Sequence, residues 1–328
     1  MDEPANSAPP VFEPPPPLNL GGPPEPSTLS NAFMGPNGMR AGWRLLIYAA
    51  IIAALAGGGG ALAALMGHPS SRIRNFTAHG LLVGESISFF ICLLASWIMT
   101  KIEGRKIADY GLPVRGMFGG QFWQGIAIGF ASITTLLVAM RVAHVFYFGP
   151  VALHGGDVLK FGLIWLCAFL FVGFFEEYSF RGYALFTLST GVGFWPAAIV
   201  LSAVFGGLHH QNSGENWIGA FSAGAIGLVF CLMLRRTGNL WLPIGFHAAW
   251  DWGETYFYGV PDSGFLSPQH LFTASFSGPA WLTGGSVGPE GSWLCLALIL
   301  VIAVIFAAWQ REAKYPNLAS IPDPRRAG

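Results

Sequence analysis

Two carboxylates and an arginine crowd the end of an apolar run in Phe174-Phe175-Glu176-Glu177-Tyr178-Ser179-Phe180-Arg181, after about fifteen almost wholly apolar residues from Val158 to Gly173. A charge inside a bilayer costs roughly 2.5–3.5 kcal/mol on insertion scales, so three charged groups this close together demand a use. On a helix, Glu177 and Arg181 are four apart, share a face and can pair. Glu176 is turned about 100° from Glu177. One carboxylate can therefore be neutralised locally while its neighbour faces a pocket. The plainer alternative is an interfacial anchor, with Arg181 reaching the headgroups and the glutamates as its counter-ions.

Two later segments add imidazoles. Ser202-Ala203-Val204-Phe205-Gly206-Gly207-Leu208-His209-His210 ends an apolar stretch, with His209 one turn after Phe205 and two glycines between them. The missing side-chain bulk suits a close approach of substrate or helix. His210 is assigned to the interface. Gly245-Phe246-His247-Ala248-Ala249-Trp250-Asp251-Trp252 then places His247 and Asp251 four apart on one face. The alternative role for that pair is a hydrogen bond tying two helices together. Glu254, three residues beyond Asp251, is expected near the membrane surface.

The polar set is thus Glu176, Glu177, Arg181, His209, His247 and Asp251. It suits two chemistries, both ending in hydrolysis. In one, a carboxylate general base activates water and the histidines stabilise the oxyanion. In the other, Glu176, His209, His247 and Asp251 hold a metal, zinc being the candidate, which acidifies bound water. The His-Glu-x-x-His motif is absent from the sequence. A non-catalytic scaffold and a proton-coupled transporter are the rival uses of such a cluster; a transporter would show internal repeats, and the sequence has no evident ones.

The elements that must position these groups are membrane helices. The 328 residues are 53% hydrophobic and only 10% charged, with mean hydropathy +0.52. The expected fold is an all-α polytopic membrane protein of about eight transmembrane helices, near 43–66, 78–100, 118–141, 158–188, 193–210, 217–234, 240–258 and 291–310. The fourth is longer than a span needs, and its end, Arg181 to Ser189, is expected either to lie in the interface or to break. The net charge of zero gives no case for nucleic-acid binding. Four scattered cysteines fall inside apolar segments and fit neither a metal knuckle nor a disulfide framework.

Residues 1–38 hold eleven of the 23 prolines and no Lys or Arg, so 1–40 is expected to be a disordered tail. The first apolar run, near Ala41, is too late and too long for a secretory signal. The transmembrane domain is placed at 41–312 and a short C-terminal tail at 313–328. A Gly-, Ser-, Pro- and aromatic-rich stretch near 259–291 is either a folded loop or a re-entrant cover. With eight spans, thirteen Lys and Arg fall on the side of both termini and four (Arg72, Arg74, Arg141, Lys160) on the other. Both termini are therefore expected in the cytoplasm, and the plasma (inner) membrane is the expected location.

Glu-Glu-x-x-x-Arg (Glu176, Glu177, Arg181), Phe-x-x-x-His (Phe205, His209) and His-x-x-x-Asp (His247, Asp251) occur in this order on successive segments. The chain resembles the CAAX-protease and bacteriocin-processing intramembrane proteases (CPBP, or Abi), relatives of the eukaryotic Ras-converting endopeptidase. The resemblance covers about 158–260, and Tyr110-Gly111-Leu112 is weakly similar to a further family feature. It implies Glu176 as the general base, Glu177 held by Arg181 in support, His209 and His247 polarising water and stabilising the oxyanion, and Phe205 lining the substrate cleft. Asp251 stands where many members carry Asn. An Asn can donate to an oxyanion and an ionised Asp cannot, so Asp251 would orient His247 or bind a metal. The family is described both as metalloprotease and as metal-free. Its members act on peptide or protein substrates, prenylated or leader-bearing, or serve as immunity proteins, always among membrane lipids.

Overall fold

The computed structural model describes residues 32–35, 38–65, 77–212, 214–309 and 311–316. Most of the Pro-rich tail (1–31, 36–37) and 317–328 lie outside them. Each expected apolar segment is helical: α1 (Ala41–Leu65), α2 (Ala78–Glu103), α3 (Gly120–Val142), α4 (Gly156–Arg181) followed by α5 (Tyr183–Val192), α6 (Phe194–His209), α7 (Trp217–Thr237), α8 (Trp241–Asp251) and α9 (Trp293–Trp309). Five stretches are long and apolar enough to cross a membrane: Ala41–Leu65, Ala78–Glu103, Gly120–Val142, Gly156–Val192 and Trp217–Thr237. The shorter helices α6, α8 and α9 have 16, 11 and 17 residues, which is why length supports five spans rather than eight.

The long fourth segment breaks at Gly182, directly after Arg181. Helix α8 also changes character: after Asp251 it widens into a π-helix, Trp252–Tyr258. Insertions of this kind are frequent at functional sites.

Helix α8 packs against both α3 and α4. Glycines make the α3 contact possible. A Cβ at Gly125 or Gly129 would overlap the backbone oxygens of Leu242 or Phe246, and one at Gly245 would overlap that of Phe122. In lipid, where apolar side chains gain little by meeting one another, such close backbone approach is a main source of helix association. The start of α8 is held by Gly111, which is left-handed (φ 83°) and accepts at its carbonyl from the Leu240 N–H at 2.8 Å. Trp241 Nε1 donates to Pro113 O at 3.1 Å. The Tyr110-Gly111-Leu112 stretch therefore docks α8.

A departure from an all-α fold ties down the long loop. Strand β1 (Phe146–Val151) pairs antiparallel with β2 (Phe272–Phe276), Phe146 opposite Phe276. Residues 259–291 thus form a folded loop anchored beside the end of α3. At the opposite end of the bundle, Arg44 donates to Glu103 through Nε (3.0 Å) and Nη2 (2.5 Å), and Tyr183 OH donates to Glu103 at 2.5 Å. Arg44 thereby ties α1 to α2, and through Thr187 and Thr190 to α5. Tyr315, within the expected C-terminal tail, is buried and packs on Phe186 and Phe194.

Candidate active site

His247 is the hub. Its Nδ1 lies 2.9 Å from Glu177 Oε1, and its Nε2 lies 3.6 Å from Glu176 Oε2 and 3.5 Å from Asp251 Oδ2. An ionised carboxylate only accepts, so Nδ1–H donates to Glu177 and the Nε2 edge is turned to the other two carboxylates. The imidazole stacks on Phe230, with centroids 5.6 Å apart. The i, i+4 spacing on α8 brings Asp251 to the histidine, and the α4–α8 packing brings both glutamates.

Glu177 sits behind the site, 0% exposed, and Arg181 is 1% exposed. Arg181 Nη1 donates to Glu177 Oε1 at 3.4 Å, one helical turn away. The guanidinium carbon stands 4.4 Å over the Phe205 ring, a cation–π contact strengthened by burial. A Cβ at Gly227 would strike Arg181 Nη2, so a glycine there makes room for the cation. One glutamate oxygen thus serves both His247 and Arg181. Glu176 hydrogen-bonds to neither of them among the described residues, and its Oε2 is buried without a hydrogen-bond partner there.

On α6, His209 donates from Nδ1 to Phe205 O at 2.9 Å, leaving Nε2 for other partners. Glu176, Phe205, His209, His247 and Asp251 all line one cavity of about 380 Å³. Gly206 allows α6 to approach α7, since its Cβ would overlap Ala220 O, whereas a Cβ at Gly207 would meet nothing within 4 Å. His210 stacks on Trp217 at 4.1 Å and is not part of the cavity wall.

The cavity wall includes groups that sequence reasoning missed. Glu85 of α2 lines it, with Oε2 buried and unpartnered; an acid within the apolar run of span two was the available signal. Asp262, Ser263 and Glu290 line it from the long loop. Burial, and then the Glu290 charge, push the Asp262 carboxyl up to about 8. Glu254, on the π-helix, is 0% exposed.

A metal centre needs donors gathered on one point. Among the described residues, the group of three or more donors within 4.8 Å of one another is Glu254, Asp262 and Glu290. Glu176, His209, His247 and Asp251 do not gather in that way, so the zinc ligand set read from sequence does not fit as arranged.

Comparison with protein families places this geometry. Residues 158–253 match the family described as type II CAAX prenyl endopeptidase Rce1-like. The segment is similar to the domain of that family. It runs from α4 to the first turn of the π-helix and holds Glu176, Glu177, Arg181, Phe205, His209, His247 and Asp251. Helices α1 to α3, the 259–291 loop and α9 lie outside the Rce1-like segment, and with them Glu85, Asp262 and Glu290. Neither the comparison with characterised proteins nor that with solved structures returned a match. With five apolar helices long enough to cross a bilayer, the chain is an integral membrane protein.

Proposed function

We propose that the chain is an intramembrane endopeptidase that hydrolyses a peptide bond with water activated by Glu176. The observation that carries this reading is the unequal treatment of two adjacent glutamates. Glu177 is engaged by Arg181 and His247, whereas Glu176 faces the Nε2 edge of His247 across 3.6 Å inside the shared cavity.

A water held by Glu176 gives it a proton, and the oxygen attacks the scissile carbonyl carbon. His247, kept in orientation by Glu177, carries a proton on Nε2 and stabilises the oxyanion. His209, its Nδ1–H spent on Phe205 O, presents Nε2 as an acceptor that orients the water. The proton on Glu176 passes to the amide nitrogen as the C–N bond breaks, leaving a carboxylate and an amine. Asp251 faces the same Nε2 edge of His247 at 3.5 Å. Donor spacing favours this metal-free course over zinc, whose bonds of roughly 2.0–2.2 Å require tighter gathering.

The substrate is a peptide or protein. The apolar wall formed by Phe169, Val172, Phe230 and Phe246 suits a lipidated or otherwise apolar residue beside the scissile bond. If the three shorter apolar helices also cross, making eight crossings, the lysine and arginine count favours both termini in the cytoplasm, in the plasma (inner) membrane, around a catalytic core at 158–260. The test is mass spectrometry of prenylated and unprenylated C-terminal peptides incubated with purified protein in detergent. New termini at one bond support the reading; intact peptides of both kinds, with folded protein, oppose it.

A further inference from the structure

We propose that Glu254, Asp262 and Glu290 form a binding site for a hard divalent cation, separate from the groups assigned to hydrolysis. One oxygen from each lies within 4.8 Å of the others. That spacing fits within a calcium coordination sphere, about 4.6–5.2 Å across for bonds of 2.3–2.6 Å. The donors are all oxygen, which suits Ca²⁺ or Mg²⁺ rather than softer metals.

An acidic cluster alone would carry nothing. The second observation is Glu254: it is 0% exposed, and neither of its carboxylate oxygens has a hydrogen-bond partner among the described residues. A buried, unpartnered carboxylate is among the costliest groups a fold can hold. The 259–291 loop contains no Lys or Arg, and no described ion pair reaches any of the three acids. His247, which acts on Asp262 electrostatically, is already shared among Glu176, Glu177 and Asp251.

The other two acids are held in place from behind. Trp250 Nε1 donates to Glu290 Oε1 at 3.0 Å. Ser263 donates to Glu290 Oε2 through its N–H at 3.1 Å and its hydroxyl at 2.8 Å. Thr255 Oγ1 donates to Asp262 Oδ2 at 2.8 Å. Fixing ligand carboxylates through such outer hydrogen bonds is how metal sites are oriented, and each carboxylate keeps at least one lone pair for an ion. The three ligands come from the π-helix and from both ends of the long loop. A cation there would pin that loop to the helix, on the wall of the cavity.

The experiment is titration of the full chain in detergent with Tb³⁺, exciting tryptophan, followed by displacement with Ca²⁺ or Mg²⁺, alongside melting curves in EDTA and in Ca²⁺. Trp250, bonded to a ligand, is a built-in sensitiser. Wild type should show sensitised emission that Ca²⁺ displaces, and a Tm that rises with Ca²⁺. Glu254→Gln and Glu290→Gln should each bind at least about tenfold more weakly, while Asp157→Asn, an exposed acid far from the triad in sequence, should match wild type. Absence of emission and of any Tm shift in wild type overturns the site. So does an undiminished response in both triad variants. The readout does not depend on any peptidase activity.

Discussion

His247 Nδ1 and Glu177 Oε1 lie 2.9 Å apart, joining α8 to α4 across seventy positions of sequence. This bond decides which ring edge meets the cavity. With Nδ1–H committed to a buried carboxylate, only Nε2 is turned to Glu176 and Asp251. Glu177 therefore acts on the chemistry through His247, although it does not line the cavity.

Removing that support has a structural consequence. Glu177→Ala strands a 1%-exposed guanidinium, and breaking a buried pair this way costs roughly 3–5 kcal/mol. A large fall in Tm in detergent is the expected outcome. Glu177→Gln with Arg181→Met should recover part of the loss, giving a coupling of about 0.5–3 kcal/mol in a double-mutant cycle. Strict additivity would mean the pair is not coupled.

The α3–α8 contact makes a paired prediction about glycines. Gly129→Ala forces a Cβ into the Phe246 backbone and should destabilise by about 1–3 kcal/mol. Any peptidase activity should fall with it, because α8 carries His247 and Asp251. Gly207→Ala meets open space on a helix and should be neutral or stabilise by up to about 1 kcal/mol. Thermal melts of the two variants side by side check both signs.

Asp251→Asn separates two roles for that carboxylate. Asp251 Oδ2 stands 3.5 Å from His247 Nε2, at the limit of a hydrogen bond. If it only biases the histidine electrostatically, an amide that can also donate to the oxyanion should keep kcat/KM within about tenfold of wild type, a loss of about 1.4 kcal/mol. Phenanthroline in the presence of Ca²⁺ should leave cleavage unchanged. A drop of several orders of magnitude, or phenanthroline inhibition, would make Asp251 a metal ligand instead.

Much of this was written in the chain. Runs of apolar residues located every helical segment, and the break after Arg181 was foreseeable from a segment too long for one span. The i, i+4 pairs Glu177–Arg181 and His247–Asp251 follow from helical period alone. Other features follow from contacts that no local period encodes. The bond from His247 to Glu177 depends on how α4 and α8 pack, and that packing depends on glycines at 125, 129 and 245. The burial of Glu254 was not legible either, because it lies where the helix widens past Asp251. Asp262 and Glu290 reach the cavity only because the 259–291 loop folds back, pinned by the pairing of β1 with β2. Of the eight expected spans, length and apolarity support five stretches.

The central claim is that Glu176 takes the proton from the attacking water. Its most direct measurement is kcat on a peptide that the wild type cleaves, compared with Glu176→Gln purified in parallel. The substitution keeps shape and removes basicity, so kcat should fall by at least about 100-fold, the lower range for a general base, with Tm and elution unchanged. Cleavage by the variant within about threefold of wild type, a difference of about 0.7 kcal/mol in barrier, would contradict the account.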